Sequence, residues 1–141
     1  MTAETRRPHS RSPLSRFAHV LSPEARPMHL TDIPFGVTTW ADVPATEHPG
    51  ERGNATWRTR QFGAGSGGPV RVRMVEYSPG YLADHWCEKG HILLVLAGQL
   101  DTELADGRTF TLRPGDSYQV ADHAEAHRSS TAVGATLFIV D

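Results

Sequence analysis

The stretch Gly80-Tyr-Leu-Ala-Asp-His85-Trp-Cys87-Glu-Lys-Gly-His91-Ile-Leu-Leu-Val-Leu-Ala-Gly98 carries both the fold and the chemistry of this chain. Its first half predicts a strand over Tyr81 to Trp86, and its second half predicts another from His91 to Leu96, with Glu88-Lys89-Gly90 as the tight turn between them. Side chains two apart in a strand share a face, so His85 and Cys87 project together while Asp84 and Trp86 project oppositely. His91, opening the returning strand, reaches back toward the same spot. Downstream, Pro114-Gly115-Asp116 marks a turn, a strand follows through Tyr118-Gln-Val, and His127 then stands at the head of Arg-Ser-Ser as a fourth donor.

Working outward, the same punctuation recurs. Further candidate strands are Thr56 to Phe62, Val70 to Tyr77, Leu100 to Leu104, Arg108 to Leu112, Tyr118 to Val120 and Leu137 to Val140. No segment after Thr31 sustains an apolar repeat at 3.6 residues, so the pattern is all-β: short strands in a sandwich, jelly roll or barrel. The hairpin at Asp106-Gly107 admits a register. A three-residue loop of Ala105, Asp106 and Gly107 pairs Leu104 with Arg108, Thr102 with Phe110 and Leu100 with Leu112, putting apolar partners on one face. A two-residue Asp-Gly loop would oppose Asp101 to Leu112 instead, so face matching selects the longer turn, with Gly107 at positive φ. Glu47-His48-Pro-Gly-Glu51 reads as a polar turn, and Gly63-Ala-Gly-Ser-Gly-Gly68 as a flexible linker between strands, with no following amphipathic helix to make it a phosphate loop.

Length and composition limit the alternatives. With 141 residues, 38% hydrophobic and 21% charged, the chain supports one core. Residues 1 to 27 carry five Arg against two acids, a charge of +3, and read as a disordered basic arm with too little apolar surface to fold. Residues 28 to 141 hold nine basic and fourteen acidic residues, a charge of −5, and read as the folded domain, with Met28 a candidate initiation site. The net charge of −2 leaves no electrostatic footprint for nucleic acid or an anionic membrane. Arg6-Arg7 is followed by no apolar run, which argues against a secretory signal, and the lone Cys87 suits a reducing compartment, so the expected location is cytoplasmic. No Gly-x-Ser-x-Gly elbow is present, and a pair of carboxylates flanking a cleft is not evident.

Imidazole and thiolate donors suit Zn, Fe, Ni or Cu rather than Mg or Ca. A divalent transition metal is therefore the expected cofactor, and its affinity is expected to fall below about pH 6 as imidazole and thiolate take up protons. The spacing Gly80, His85, Cys87, His91, Gly98 resembles the first motif of the cupin superfamily. Gly107, then Leu112-Arg-Pro-Gly-Asp116, then His127 is similar to its second. More closely, Asp84-His85-Trp86-Cys87 with Gly90-His91 resembles the small group of DHCW-motif cupin-fold proteins. The resemblance runs over about residues 29 to 141, including Arg71 to Tyr77, Tyr118 to Asp122, His127 to Ser130 and Leu137 to Asp141.

The resemblance implies a double-stranded β-helix, the RmlC-like jelly-roll barrel, with a metal inside. The superfamily's ligand positions, His, His, Glu and His, fall here on His85, Cys87, His91 and His127. Cys87 exchanges a neutral donor for an anionic one and His91 does the reverse, so the formal ligand charge is kept. One extra residue before His127 leaves His123 as a competitor, ranked second because the match continues through Arg128-Ser129-Ser130. The function so implied is a mononuclear metalloenzyme of dioxygenase or isomerase type acting on a small polar metabolite. The alternative is a non-catalytic metal- or ligand-binding or sensor protein. Trp86, Ile92, Leu94 and Leu96 share an outward apolar face that a single barrel leaves uncovered, so a homodimer is expected.

Overall fold

A computed structural model describes residues 27–63 and 68–141. The expected basic arm up to residue 26 and the centre of the glycine-rich linker lie outside the described residues. Nine strands form two antiparallel sheets: β1 (Ala45–Pro49), β2 (Asn54–Phe62), β3 (Val70–Tyr77), β4 (His91–Gly98), β5 (Leu100–Leu104), β6 (Thr109–Leu112), β7 (Ser117–Val120), β8 (His127–Ser130) and β9 (Ala135–Val140). One sheet has the order β1-β2-β3-β9-β4-β7 and the other β6-β5-β8. Among the described residues the only helical turn is Trp40–Asp42, where Trp40 stands edge-on to Phe138 of β9.

Alternation along the strands builds the interior. On β4, Leu93 and Val95 are buried while Ile92 and Leu96 are exposed, and on β9 Ala135, Leu137 and Ile139 point inward. With Val75, Leu100 and Leu112 these form one aliphatic cluster joining the two sheets. The rest of the interior is polar and aromatic. Arg73, His91, Thr102 and His127 are buried there, and Trp57, Tyr77 and Tyr118 pack against the aliphatic cluster. The aliphatic part supplies most of the burial energy at ~25 cal/mol per Å². The polar part is what it leaves for chemistry.

The β5–β6 hairpin adopts the three-residue loop: Leu100 pairs Leu112 and Thr102 pairs Phe110, the Leu104 N–H donates to the Arg108 carbonyl, and Gly107 has φ 95°. The structure departs from the sequence reading at three places. Only the end of Glu47 to Glu51 is turn: Ala45–Pro49 is a strand in full register with β2, the Gly50 N–H donates to the Gly53 carbonyl in the loop that joins them, and Pro49 is tolerated because β1 lies at the sheet edge. His127–Ser130 is a strand of its own, paired to β5 despite its polar sequence.

Tyr81 to Trp86 is not a strand but an irregular segment tied to β8 at two points. Leu82 bridges Ser130 and Cys87 bridges His127, so five steps along one chain match three along the other. The two extra residues bulge out around Asp84, His85 and Trp86. That bulge breaks the simple alternation that would have put His85 and Cys87 on one face.

Candidate metal centre

Two backbone devices bring the donors together. The Cys87 N–H donates to the His127 carbonyl at 2.7 Å and the His127 N–H returns to the Cys87 carbonyl at 3.0 Å, a directly opposed antiparallel pair whose side chains leave from one face. His91 arrives from the other sheet, as the first residue of β4. Just before it, the Gly90 N–H donates to Asp122 Oδ1 at 2.7 Å, and a Cβ at Gly90 would lie 2.5 Å from the Asp122 backbone nitrogen. Glycine at 90 therefore lets the 120–123 loop close over the start of β4.

The donor atoms of Cys87, His91 and His127 all lie within 4.8 Å of one another. His91 Nε2 is 3.1 Å from His127 Nε2, with the Tyr118 hydroxyl also 3.1 Å from the former. His127 Nδ1 donates to the Glu125 carbonyl at 2.9 Å, which fixes the tautomer and leaves Nε2 bare. His91 Nδ1 is buried without a hydrogen-bond partner, 3.7 Å from Asp141 Oδ2.

These contacts test whether a cation fits. Burial, then the neighbouring His127 and Arg73, push His91 down to about 4, so the ring is neutral near pH 7. If its hydrogen sits on Nε2, the bare Nδ1 is buried facing a carboxylate. If it sits on Nδ1, two bare Nε2 atoms face each other at 3.1 Å. A divalent ion between the Nε2 atoms removes both conflicts, and two nitrogens on a tetrahedral ion at ~2.05 Å are themselves separated by ~3.3 Å. The neighbouring His127 ring pulls the Cys87 thiol below its ordinary range despite burial, with the Lys89 backbone and Arg73 adding to this, and Cys87 in turn raises His127. A thiolate and two imidazoles make a transition-metal donor set.

The other two histidines stand apart. His85 lines the same cavity, but its side chain is 69% exposed and its Nδ1 sits 2.6 Å from the Asp84 carboxylate, a consequence of the bulge. His123 is 80% exposed, in left-handed backbone at φ 57°, with Nδ1 3.8 Å from Glu88. The structure thus groups Cys87, His91 and His127, and leaves His85 at the rim and His123 outside.

The cavity beside the three donors measures about 220 Å³. Its wall includes Trp57, Arg71 and Arg73, which no sequence motif marks, and Tyr77, Tyr81 and Ser129, polar groups on or beside strands. Asp141 backs it, accepting from Arg71 Nε at 2.6 Å, Arg71 Nη2 at 2.9 Å and Arg73 Nη2 at 3.0 Å. Burial works to raise the Asp141 carboxyl, but the two guanidiniums prevail and hold it below its ordinary range. The signal for these residues is the parity of β3: Arg71 and Arg73 share a face with buried Val75. On the other side of Tyr118 and His127 a wider cleft of about 560 Å³ opens between β5–β6 and β7.

No protein-family profile matches the chain, and no curated protein matches it. Solved structures do. An RmlC-like cupin from Shewanella frigidimarina is 15% identical with a TM-score of 0.59, over 77% of this chain and 91% of that one. Ectoine synthase from P. lautus is 15% identical, TM-score 0.59, over 75% and 76%. The polyketide cyclase RemF from Streptomyces resistomycificus is 23% identical, TM-score 0.58, over 76% and 78%. The chain therefore has the fold seen in RmlC-like cupins, with a three-residue group inside the barrel that could hold a metal ion. At these identities the likeness extends to the architecture and not to the reaction.

Proposed function

We propose that the chain is a mononuclear metalloenzyme in which Cys87, His91 and His127 hold a divalent transition metal and the adjoining cavity receives a small polar metabolite. The observation that carries this reading is the mutual approach of three donors, within 4.8 Å, at the wall of a cavity. Three protein ligands with a free position are the signature of catalytic rather than structural sites. When bound, the metal supplies Lewis acidity or a site for O₂, the basis for isomerase- or dioxygenase-type chemistry. The protein's own part is to keep His91 neutral, hold His127 in one tautomer through Glu125, and exclude bulk water behind Tyr118. Similar folds include a synthase, a cyclase and a sugar phosphate isomerase, which supports catalysis without naming the reaction.

His85, the remaining donor of the cupin-like motif, would reach the metal only by giving up its contact with Asp84. Its place on the cavity wall favours a second reading, a non-catalytic binding or sensor protein with a closed four-ligand shell. Elemental analysis of untagged protein combined with X-ray absorption separates the two. Near-stoichiometric metal with three protein ligands and an exchangeable water supports the enzyme. Four protein ligands support the sensor, and no metal after aerobic and anaerobic preparation removes both.

The proposal includes residues 28–141 as one domain behind a basic arm, a reducing cytoplasmic setting suited to the lone Cys87, and a homodimer through the outward face of β4. No helix among the described residues is long and apolar enough to cross a membrane.

A further inference from the structure

Arg73 points inward from the middle of β3 and is 5% exposed. Its guanidinium carbon lies 4.4 Å from the centre of the Trp57 ring. Among the described residues only Nη2 has a hydrogen-bond partner, Asp141, and Nε is buried with none. Asp141 is already engaged by both Nε and Nη2 of Arg71. Two guanidiniums therefore lean on one carboxylate, and the wall keeps one positive charge in excess.

A buried charge is costly unless paired and hydrogen-bonded. Cys87 belongs to the metal in the proposal above, and a divalent ion there adds more positive charge than a coordinated thiolate removes. What the cavity lacks is an anion. A guanidinium presents a planar fork that matches a planar carboxylate. Beside it stands the stacked pair Tyr77 and Tyr81, ring centres 4.1 Å apart, an aromatic surface for carbon, while Trp57 is stacked on His48 at 3.8 Å and carries the Arg73 guanidinium. The volume of about 220 Å³ corresponds to about seven waters at ~30 Å³ each, which limits the ligand to a small molecule.

We infer that this cavity binds a small organic carboxylate, its carboxylate group on Arg73 beside Arg71 and its carbon body against Tyr77 and Tyr81. The inference rests on the cavity being the ligand site of the proposed function, and it names the substrate class.

Isothermal titration with benzoate, propanoate, benzamide and inorganic phosphate tests it, on full-length wild type, Arg73→Gln and Arg73→Lys of measured metal content. The expected result is one-to-one binding of benzoate or propanoate, with benzamide at least tenfold weaker than benzoate. Arg73→Gln should lose at least tenfold in carboxylate affinity. Arg73→Lys, which keeps the charge and loses the fork, should fall between and covers the case in which Arg73→Gln fails to fold. Absence of carboxylate binding to wild type, equal binding of benzamide, preference for phosphate, or affinity unchanged in the folded variants overturns the inference. Full metal occupancy without carboxylate binding overturns it and leaves the metal reading standing. Arg73-dependent binding to protein that never takes up metal does the opposite.

Discussion

His91 Nε2 and His127 Nε2 meet at 3.1 Å although one residue opens β4 of the larger sheet and the other opens β8 of the smaller. The contact exists because the two sheets close on each other, so the centre is a property of the folded barrel.

Replacing His127 by Ala removes a donor whose second nitrogen is already committed to Glu125. Metal affinity is expected to fall by at least ~100-fold, since loss of even an outer partner of a ligand costs 10- to 100-fold. His123→Ala, at an exposed ring against Glu88, is expected to leave metal content unchanged. Elemental analysis of both proteins after dialysis against a competing chelator checks the pair. Equal metal in the two variants would contradict the assignment.

Asp141→Asn leaves Arg73 buried with its only partner weakened, and a destabilisation of about 3 kcal/mol is expected, as for breaking a buried ion pair. The pH dependence follows from the direction of the shift. Asp141 is held below its ordinary range in the folded protein, so its contribution is fully present above the unfolded carboxyl value near ~3.9 and is lost as pH falls through the folded value. Urea denaturation between pH 7 and pH 3 should show wild type losing this part of its stability below about pH 4 and the Asn variant lacking it. Parallel acid profiles would count against the pair.

Much of the fold was legible because turn residues and alternation agreed. At the β5–β6 hairpin, only one loop length put Leu100 beside Leu112, and that is the register found. Where tertiary pairing outranks local pattern, the reading failed. Pro49 and Gly50 suggest a turn, and one runs from Gly50 to Gly53, but the polar residues before it, Ala45–Pro49, pair with β2 as an edge strand. Asp84, His85 and Trp86 suggest continued alternation, yet the bridges at Leu82 and Cys87 leave two residues to bulge. The donors at 87, 91 and 127 were visible as a spacing. Arg73 was not, because an arginine within a strand is ordinarily taken as facing solvent, and only its parity with Val75 shows otherwise.

Gly90→Ala probes the closure over β4. The added Cβ would meet the Asp122 backbone nitrogen at 2.5 Å, the Ala121 carbonyl carbon at 2.7 Å and the Val120 carbonyl oxygen at 2.9 Å. All three are backbone atoms, so the strain has to be taken up by moving the loop or the start of β4. A loss of about 1–3 kcal/mol is expected, with weaker metal binding because His91 is the next residue. Thermal melting with and without added metal checks both. A variant as stable as wild type would mean that the loop moves aside freely.

The outward face of β4 decides the oligomeric state. Ile92 is 60% exposed and Leu96 44%, on a strand whose opposite face holds the buried Leu93 and Val95. Polar residues at 92 and 96 would complete an ordinary two-faced strand, and in the proposed homodimer the aliphatic ones are buried against a second copy. A stable interface needs roughly 800 Å² from each partner, so a charge at its centre should break it. Ile92→Glu is therefore expected to shift sedimentation from a dimer to the 15.5 kDa monomer. The monomer's own stability should change by no more than about 0.5 kcal/mol, as for exposed positions elsewhere. Metal content should be unchanged, since Ile92 projects away from the barrel interior into which His91 points. Wild type sedimenting as a monomer at every concentration would remove the dimer, and the exposed aliphatics of β4 would then need another explanation.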